Sequence, residues 1–171
     1  MHLREHDRHL DRQAALVDAR RALAEVYRYL LHRCGSIALA EDLTSESVLA
    51  AVDRLLAGDT DSLSVPYAIG IARHKLVDHW RRAERERRHL ELHTGNVEDA
   101  SHDLVFEPGR AADVLETLSP AQRAALTLRY LDDLSVPEVA RLLGRSLEST
   151  ETLLTRAKRA FREKYQETDD E

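Results

Sequence analysis

With a single cysteine, Cys34, the chain cannot close an internal disulfide, so its fold must rest on packing and hydrogen bonding alone. Glycine and proline are scarce, six and four among 171 residues, and aromatic residues make up only 5%. Against abundant Leu, Ala, Arg and Glu, these shortages exclude a large antiparallel sheet as a first expectation and favour an all-α protein. No apolar run approaches the roughly 18 residues of a spanning helix. The opening MHLREHDRHL lacks the apolar centre of a secretory signal. The expectation is a cytoplasmic protein without membrane insertion. What is present suffices for folding: 43% of residues are hydrophobic and 33% charged, which excludes a wholly disordered chain. The length fits one ordinary domain or two small ones, given the usual range of about 50–250 residues.

A net charge of -6 argues against a featureless nucleic-acid coat, but the average hides an uneven distribution. Residues 67–93 carry seven Arg and Lys against four acids, whereas residues 94–118 carry one Arg against six acids. A local basic surface can bind DNA while acidic stretches face solvent or a protein partner.

Residues 1–13 read as a charged leader. From Ala14 the pattern becomes helical, with Leu16, Ala19, Leu23, Val26, Tyr27, Leu30 and Leu31 expected on one apolar face. A second helix is expected over Glu41–Leu56, its acids Glu41, Asp42 and Glu46 near the start. Asp59 through Pro66 reads as a loop, after which Tyr67, Ile69, Ile71, Ala72, Leu76, Val77 and Trp80 restart a helix with a basic outer surface. This first domain spans residues 14–93. The stretch 94–112, rich in acids and carrying the turn signal Pro108-Gly109, is expected to be a mobile linker. A second domain covers 113–165, with an acidic tail over 166–171.

The second domain is sharply punctuated. Ser119-Pro120-Ala121-Gln122 fits an N-cap, a proline at the first helical position and a capping-box glutamine, opening a helix expected to reach Tyr130. Ser135-Val136-Pro137-Glu138 offers a second capping box before a short helix through Leu143. Gly144 supplies a positive-φ break and Ser146 a cap for a last helix through about Lys164, with Leu147, Thr150, Leu153, Leu154, Ala157 and Phe161 turned inward. Helix, short turn and helix form a helix-turn-helix pattern, in which one helix braces another that enters the major groove. Near the start of the last helix, Arg145, Ser146, Glu148, Ser149, Glu151 and Thr152 can face bases, and Arg156, Lys158, Arg159 and Arg162 can reach phosphates. The same charges also suit a merely solvated amphipathic helix, so spacing alone leaves both readings open.

Two longer stretches carry a family resemblance. LSPAQRAALTLRYLDDLSVPEVARLLGRSLESTETLLTRAKRAFREKY, Leu118–Tyr165, resembles region 4 of bacterial RNA polymerase sigma factors, which in that family recognises the minus-thirty-five promoter element. AEDLTSESVLAAVDRLL, Ala40–Leu56, followed by IGIARHKLVDHWRRAERERR, Ile69–Arg88, resembles region 2. Both modules in family order, over most of the chain, resemble a sigma-70 family member of the extracytoplasmic-function type. The resemblance implies two small helical domains and a factor that joins core RNA polymerase, directs it to promoter DNA and assists DNA opening. It also implies an anti-sigma partner. On this basis Glu41, Asp42, Leu43 and Glu46 lie where region 2 engages polymerase. Asp59, Thr60, Asp61, Ser62, Leu63 and Ser64 occupy the loop expected near an unpaired minus-ten base, and Arg73, Lys75, His79, Trp80, Arg81, Arg82 and Arg85 are candidates for contact with that DNA. Arg145, Ser146, Glu148, Ser149, Glu151, Thr152, Arg156, Lys158 and Arg159 fall to the minus-thirty-five element. The loop lacks the Phe-Arg pair common in the family, and Glu151 and Leu153 stand where relatives commonly carry Lys and Arg. The loop departure implies an unusual minus-ten preference, and the recognition-helix departures weaken a residue-by-residue promoter assignment while leaving the two-module match in place.

For Trp80, base stacking competes with plain core packing, and packing is the better expectation; Tyr67 is assigned to structure on similar grounds. No enzyme constellation converges. His74 and His79 are five apart, unlike the four-residue spacing that sets two metal ligands on one helix face. His89, His93 and His102 lack the cysteines of a zinc pattern, so neither metal nor cofactor is expected. The alternative to a sigma factor is a helix-turn-helix regulator, or a protein-interaction module, without sigma activity.

Overall fold

The computed structural model describes the backbone of residues 2–60, 62–94 and 109–167, with side chains over 17–60, 62–91 and 109–167. The described residues contain helices and turns and no strand: α1 His2–Cys34, α2 Ile37–Leu56, α3 Val65–Thr94, α4 Arg110–Glu116, α5 Pro120–Leu126, α6 Val136–Leu143 and α7 Leu147–Glu167. Contacts divide the chain into two compact units, Met1–Lys75 and Leu76–Glu171. Of the stretch 94–112, residues 95–108 lie outside the described residues, and α4 already begins at Arg110. The end of the acidic tail, 168–171, lies outside them too.

In the first unit, helical backbone begins at His2, ahead of Ala14 where the apolar pattern starts. The buried stripe of α1 is Ala22, Val26, Leu30 and Cys34, spaced four apart, and Leu23 is 45% exposed. The face is thus rotated by one residue from the expected set, because close approach to α2 selects the small Ala22 over the larger Leu23. Gly35, at φ 67, ends α1, and Ser36, in extended conformation, caps α2 by accepting from Leu39 N at 3.4 Å. Helix α2 therefore starts four residues before Glu41, and the acids sit one turn inside it rather than at its N-terminus. Its inner face, Ala40, Leu43, Thr44, Ser47 and Ala51, is also built from small side chains. The two buried hydroxyls are satisfied within the helix, Thr44 donating to Ala40 O at 2.6 Å and Ser47 to Leu43 O at 2.5 Å. Pro66 stands inside the first turn of α3 rather than at the end of a loop, where its missing N–H costs no helical bond.

In the second unit both capping boxes form. Ser119 accepts from Gln122 N at 3.3 Å while Gln122 returns a bond to Ser119 N at 3.2 Å, and Glu138 accepts from Ser135 N at 2.8 Å. The helix opened by Ser119 does not reach Tyr130 in α form; Thr127–Leu131 is a π-helical turn closed by Asp132 N to Thr127 O at 3.0 Å. The extra residue in that turn places Thr127 and Leu128 in the core and leaves Tyr130 and Leu131 half exposed. Arg123 secures α4 by donating to the carbonyls of Leu115, at 3.0 Å, and Glu116, the C-terminal acceptors of that short helix. Gly144 adopts φ 62 and ψ 40, the left-handed conformation that turns α6 into α7. On α7, Thr150, Leu154 and Ala157 are buried, whereas Leu147 is 49% exposed and lies off the core.

Candidate nucleic-acid interface

Helix α7 is positioned as the second member of a helix-turn-helix. Gly144 sets its entry, Ser146 Oγ accepts from Ser149 N at 3.2 Å, and burial of Thr150, Leu154 and Ala157 fixes which side turns outward. On that outer side Ser146, Glu148, Glu151, Thr152, Arg156, Lys158 and Arg159 are exposed. Arg145 and Ser149 are half-buried, their side chains 3.4 Å apart. Each sequence-predicted reader of α7 therefore lies on or beside one polar face, with the short residues first and the cations following one to three turns later. A short side chain at the N-terminal end lets the backbone approach base edges, and long cations further along reach flanking phosphates.

The basic part of α3 is mixed. Arg81, Arg82 and Arg85 are exposed, with Arg81 only loosely paired to Asp78 at 3.6 Å. Lys75 is held by Glu46, Nζ to Oε2 at 3.0 Å, which joins a DNA candidate to a polymerase candidate inside the first unit. Arg73 is half-buried and has its own partners. Trp80 is 3% exposed, so in this arrangement its indole belongs to the core and offers no face to an unpaired base.

His79 is half-buried, and burial first, then the positive charge of Arg82, holds its imidazole below the ordinary range. Arg123 acts in the same direction and Glu86 opposes it. The folded value lies below that of the unfolded chain, about 6.5, so as pH falls the unfolded chain takes up its proton first. The stabilisation is complete above about pH 6.5 and is lost as pH drops toward the folded value. His79→Gln is expected to flatten this part of the stability curve, as read from urea midpoints across a pH series. An unchanged slope in the variant would assign the effect elsewhere.

On α2, Glu41, Asp42 and Glu46 are exposed, while Leu43 is 6% exposed and packs inward. The acids thus form an outward face that Leu43 supports from beneath. In the loop before α3, Asp59, Ser62 and Ser64 are exposed, Thr60 donates to Ser62 O at 3.1 Å, and Leu63, 5% exposed, anchors the segment. Asp61 lies outside the described residues.

Against this geometry, the family profile of Sigma-70 region 2 matches residues 19–86, and that of Sigma-70 region 4 matches residues 109–161. Among curated proteins, the ECF RNA polymerase sigma factor SigF of Caulobacter vibrioides is 32% identical over 133 residues, covering 75% of this chain and 72% of SigF. The chain belongs to the ECF RNA polymerase sigma factors. BldN of Streptomyces coelicolor, another of them, is 38% identical over 146 residues, covering 80% of this chain. The chain spans about half of BldN, 54% of its length. SigM of Bacillus subtilis is 25% identical over 148 residues, 82% of this chain and 88% of SigM. Among solved structures, the sigma factor RpoE of Bartonella quintana, crystallised with the anti-sigma factor NepR, aligns with a TM-score of 0.54 at 17% identity, covering 91% of this chain and 96% of that one. That likeness speaks to the fold.

Within this sigma factor, one residue that sequence reasoning missed is Glu84. It is 7% exposed and accepts from Arg87 at 3.0 Å and Arg88 at 2.8 Å. Burial alone raises its carboxyl, but the bonds from Arg87 and Arg88 outweigh it and hold the group below the usual carboxylate range. In the sequence it sits inside an alternating Arg-Glu run and reads as solvated surface; no local pattern distinguishes it from Glu86.

Proposed function

We propose that this chain is a transcription-initiation factor that binds core RNA polymerase, carries it to promoter DNA and assists opening there, with the chemistry of RNA synthesis left to the polymerase. The observation that carries the proposal is the pairing, in order, of a region 2 match and a region 4 match, the latter containing a helix-turn-helix whose outer face is polar and exposed.

In this proposal the acids of α2 face polymerase, the loop 59–64 and the cations Arg81, Arg82 and Arg85 serve the minus-ten element, and the outer face of α7 serves the minus-thirty-five element. Arg73, Lys75 and His79 act as secondary, partly engaged contributors. The chain itself catalyses nothing and works where polymerase works, in the cytoplasm. Among the described residues no helix is long and apolar enough to cross a membrane, which is compatible with that placement. The family resemblance extends the proposal to inhibition by an anti-sigma protein.

The test is transcription by purified core polymerase over a diverse library of promoter fragments, with and without the chain. Transcripts that start at defined sites only in its presence are expected, and their upstream sequences give its promoter preference. Absence of both core binding and new transcripts, with a core active on another sigma factor, would turn the reading toward a DNA-binding regulator.

A further inference from the structure

Ala111 and Leu115 stand four apart on α4, hence on one side of it, and line a groove of about 280 Å³ in the second unit. The π-helical turn adds Tyr130 and Leu131, 52% and 50% exposed, and α7 adds Phe161. The turn that carries Leu128 into the core carries these next large side chains outward. Single apolar residues scattered over a surface need no explanation, but several that line one concave groove mark a place where something docks. The α7 side of the groove is positive. Lys158 Nζ lies 5.3 Å from the centre of the Tyr130 ring, and Arg162 follows one turn later. Neither cation forms an ion pair among the described residues, so both charges are open to an occupant.

A fitting occupant is apolar in its middle and acidic at its edges. Asp103-Leu104-Val105-Phe106-Glu107 has that composition, and no other run of three apolar residues occurs over 95–108. The segment lies outside the described residues, but the point where its chain joins α4 is fixed. At about 3.6 Å per residue, Phe106 stands within about 11 Å of Gly109 and Leu104 within about 18 Å. Helix α4 is itself only about 10 Å long, and Ala111 is its second residue, so the whole α4 wall is in reach. Pro108-Gly109 is a turn signal at which the chain can reverse, and Gly109 has open space on its Cβ side. A tether so short holds the segment at roughly millimolar effective concentration, which a second copy or a separate protein does not reach at ordinary dilution.

We propose that Leu104, Val105 and Phe106 dock in this groove, with Asp103 and Glu107 set against Lys158 and Arg162. The end of the linker is then part of the surface of the second domain, which leaves 95–102 to connect the two modules. The inference goes beyond promoter recognition and does not depend on it.

The chain contains two phenylalanines, Phe106 in the proposed occupant and Phe161 on the groove, so the full chain made with 4-fluorophenylalanine gives two fluorine resonances. Phe106→Tyr assigns them. In the native chain the Phe106 signal is expected to stand away from its position in urea, and Phe106→Ala is expected to shift the Phe161 signal. Ala111→Glu supplies a variant that keeps the fold. Ala111 is exposed in the first turn of α4, where an acid suits the helix, but a carboxylate there fills the groove and repels Asp103 and Glu107. It is expected to return the Phe106 signal to its denatured position with the far-ultraviolet circular dichroism unchanged. A parent chain whose Phe106 signal already stands at the denatured position, or a Phe161 signal indifferent to Phe106→Ala, overturns the proposal and leaves the groove to a separate protein. A displaced Phe106 signal that Ala111→Glu leaves in place overturns it too, since the segment then docks elsewhere. Displacement that fades on dilution makes the occupant a second copy of the chain and overturns the intramolecular assignment.

Discussion

Leu128→Ala is expected to destabilise the helix-turn-helix domain by about 2–5 kcal/mol, the usual cost of emptying a fully buried leucine site. Leu128 is 1% exposed, and the π-helical turn Thr127–Leu131 presents it to the core. Its carbonyl accepts from Leu134 N at 3.1 Å, so backbone and side chain are both fixed and the site has little freedom to collapse around a cavity. At about 0.05–0.15 kcal/mol per residue, so small a domain has only about 3–9 kcal/mol in total. The variant is therefore expected to lose much of its helical signal at physiological temperature, as followed by far-ultraviolet circular dichroism, and with it specific transcription. Leu131→Ala, three residues on and 50% exposed, serves as the control and is expected to leave stability nearly unchanged. Similar losses in the two variants would contradict the assignment of these residues to opposite sides of the turn.

The second large effect lies on α7, where acids and cations are expected to behave in opposite ways. Arg159→Ala removes an exposed cation that the proposed function assigns to phosphate. It is expected to weaken binding to all sequences alike and to reduce the salt slope by about one unit, with the preferred sequence unchanged. Glu148→Ala removes an exposed acid near the helix start. Loss of its repulsion raises affinity for DNA in general, while loss of a base contact lowers discrimination at one position by about 1–3 kcal/mol, or roughly 5- to 150-fold. Binding selections from a randomised duplex library at several salt concentrations separate the two outcomes. If Glu148→Ala leaves the selected sequence intact and Arg159→Ala alters it, the division of α7 into a reading end and a phosphate end is wrong.

The parts of this structure that were legible in the sequence are those written in local chemistry. Ser119-Pro120 with Gln122, Ser135 with Glu138, and Gly144 each demand a particular backbone at a particular place, and each is found there. The fully helical class followed as directly from the scarcity of turn residues. Other features depend on what a residue meets elsewhere in the chain. The choice of Ala22 over Leu23 on the buried side of α1 depends on how near α2 approaches. The Gly35-Ser36 break was hidden because the acids of α2 imitate a helix start one turn late. Leu147 has the spacing of a core residue but precedes the first turn that packs. The π-helical turn has no sequence signature; it follows from fitting Leu128 inward within a short segment. Among the candidate readers, Ser146 through Arg159 on α7 could be placed on one polar face by periodicity alone. Trp80, Leu43 and Leu63 could not be placed without seeing which sides of their segments are covered. Glu84 was least legible, since one of the groups its buried carboxylate meets, the peptide N–H of Ala121, lies 37 positions away.

Trp80 has a consequence of an optical kind. It is the sole tryptophan in the chain, and at 3% exposure its indole is shielded from water in the second unit, whereas residues 1–75 contain none. Emission excited at the indole band therefore reports on the surroundings of this one position on α3, with no label attached. The sealed ring emits toward the blue and resists iodide. Hydration of that site shifts the emission to the red and admits the quencher, so events around the middle of α3 can be timed by stopped-flow fluorescence.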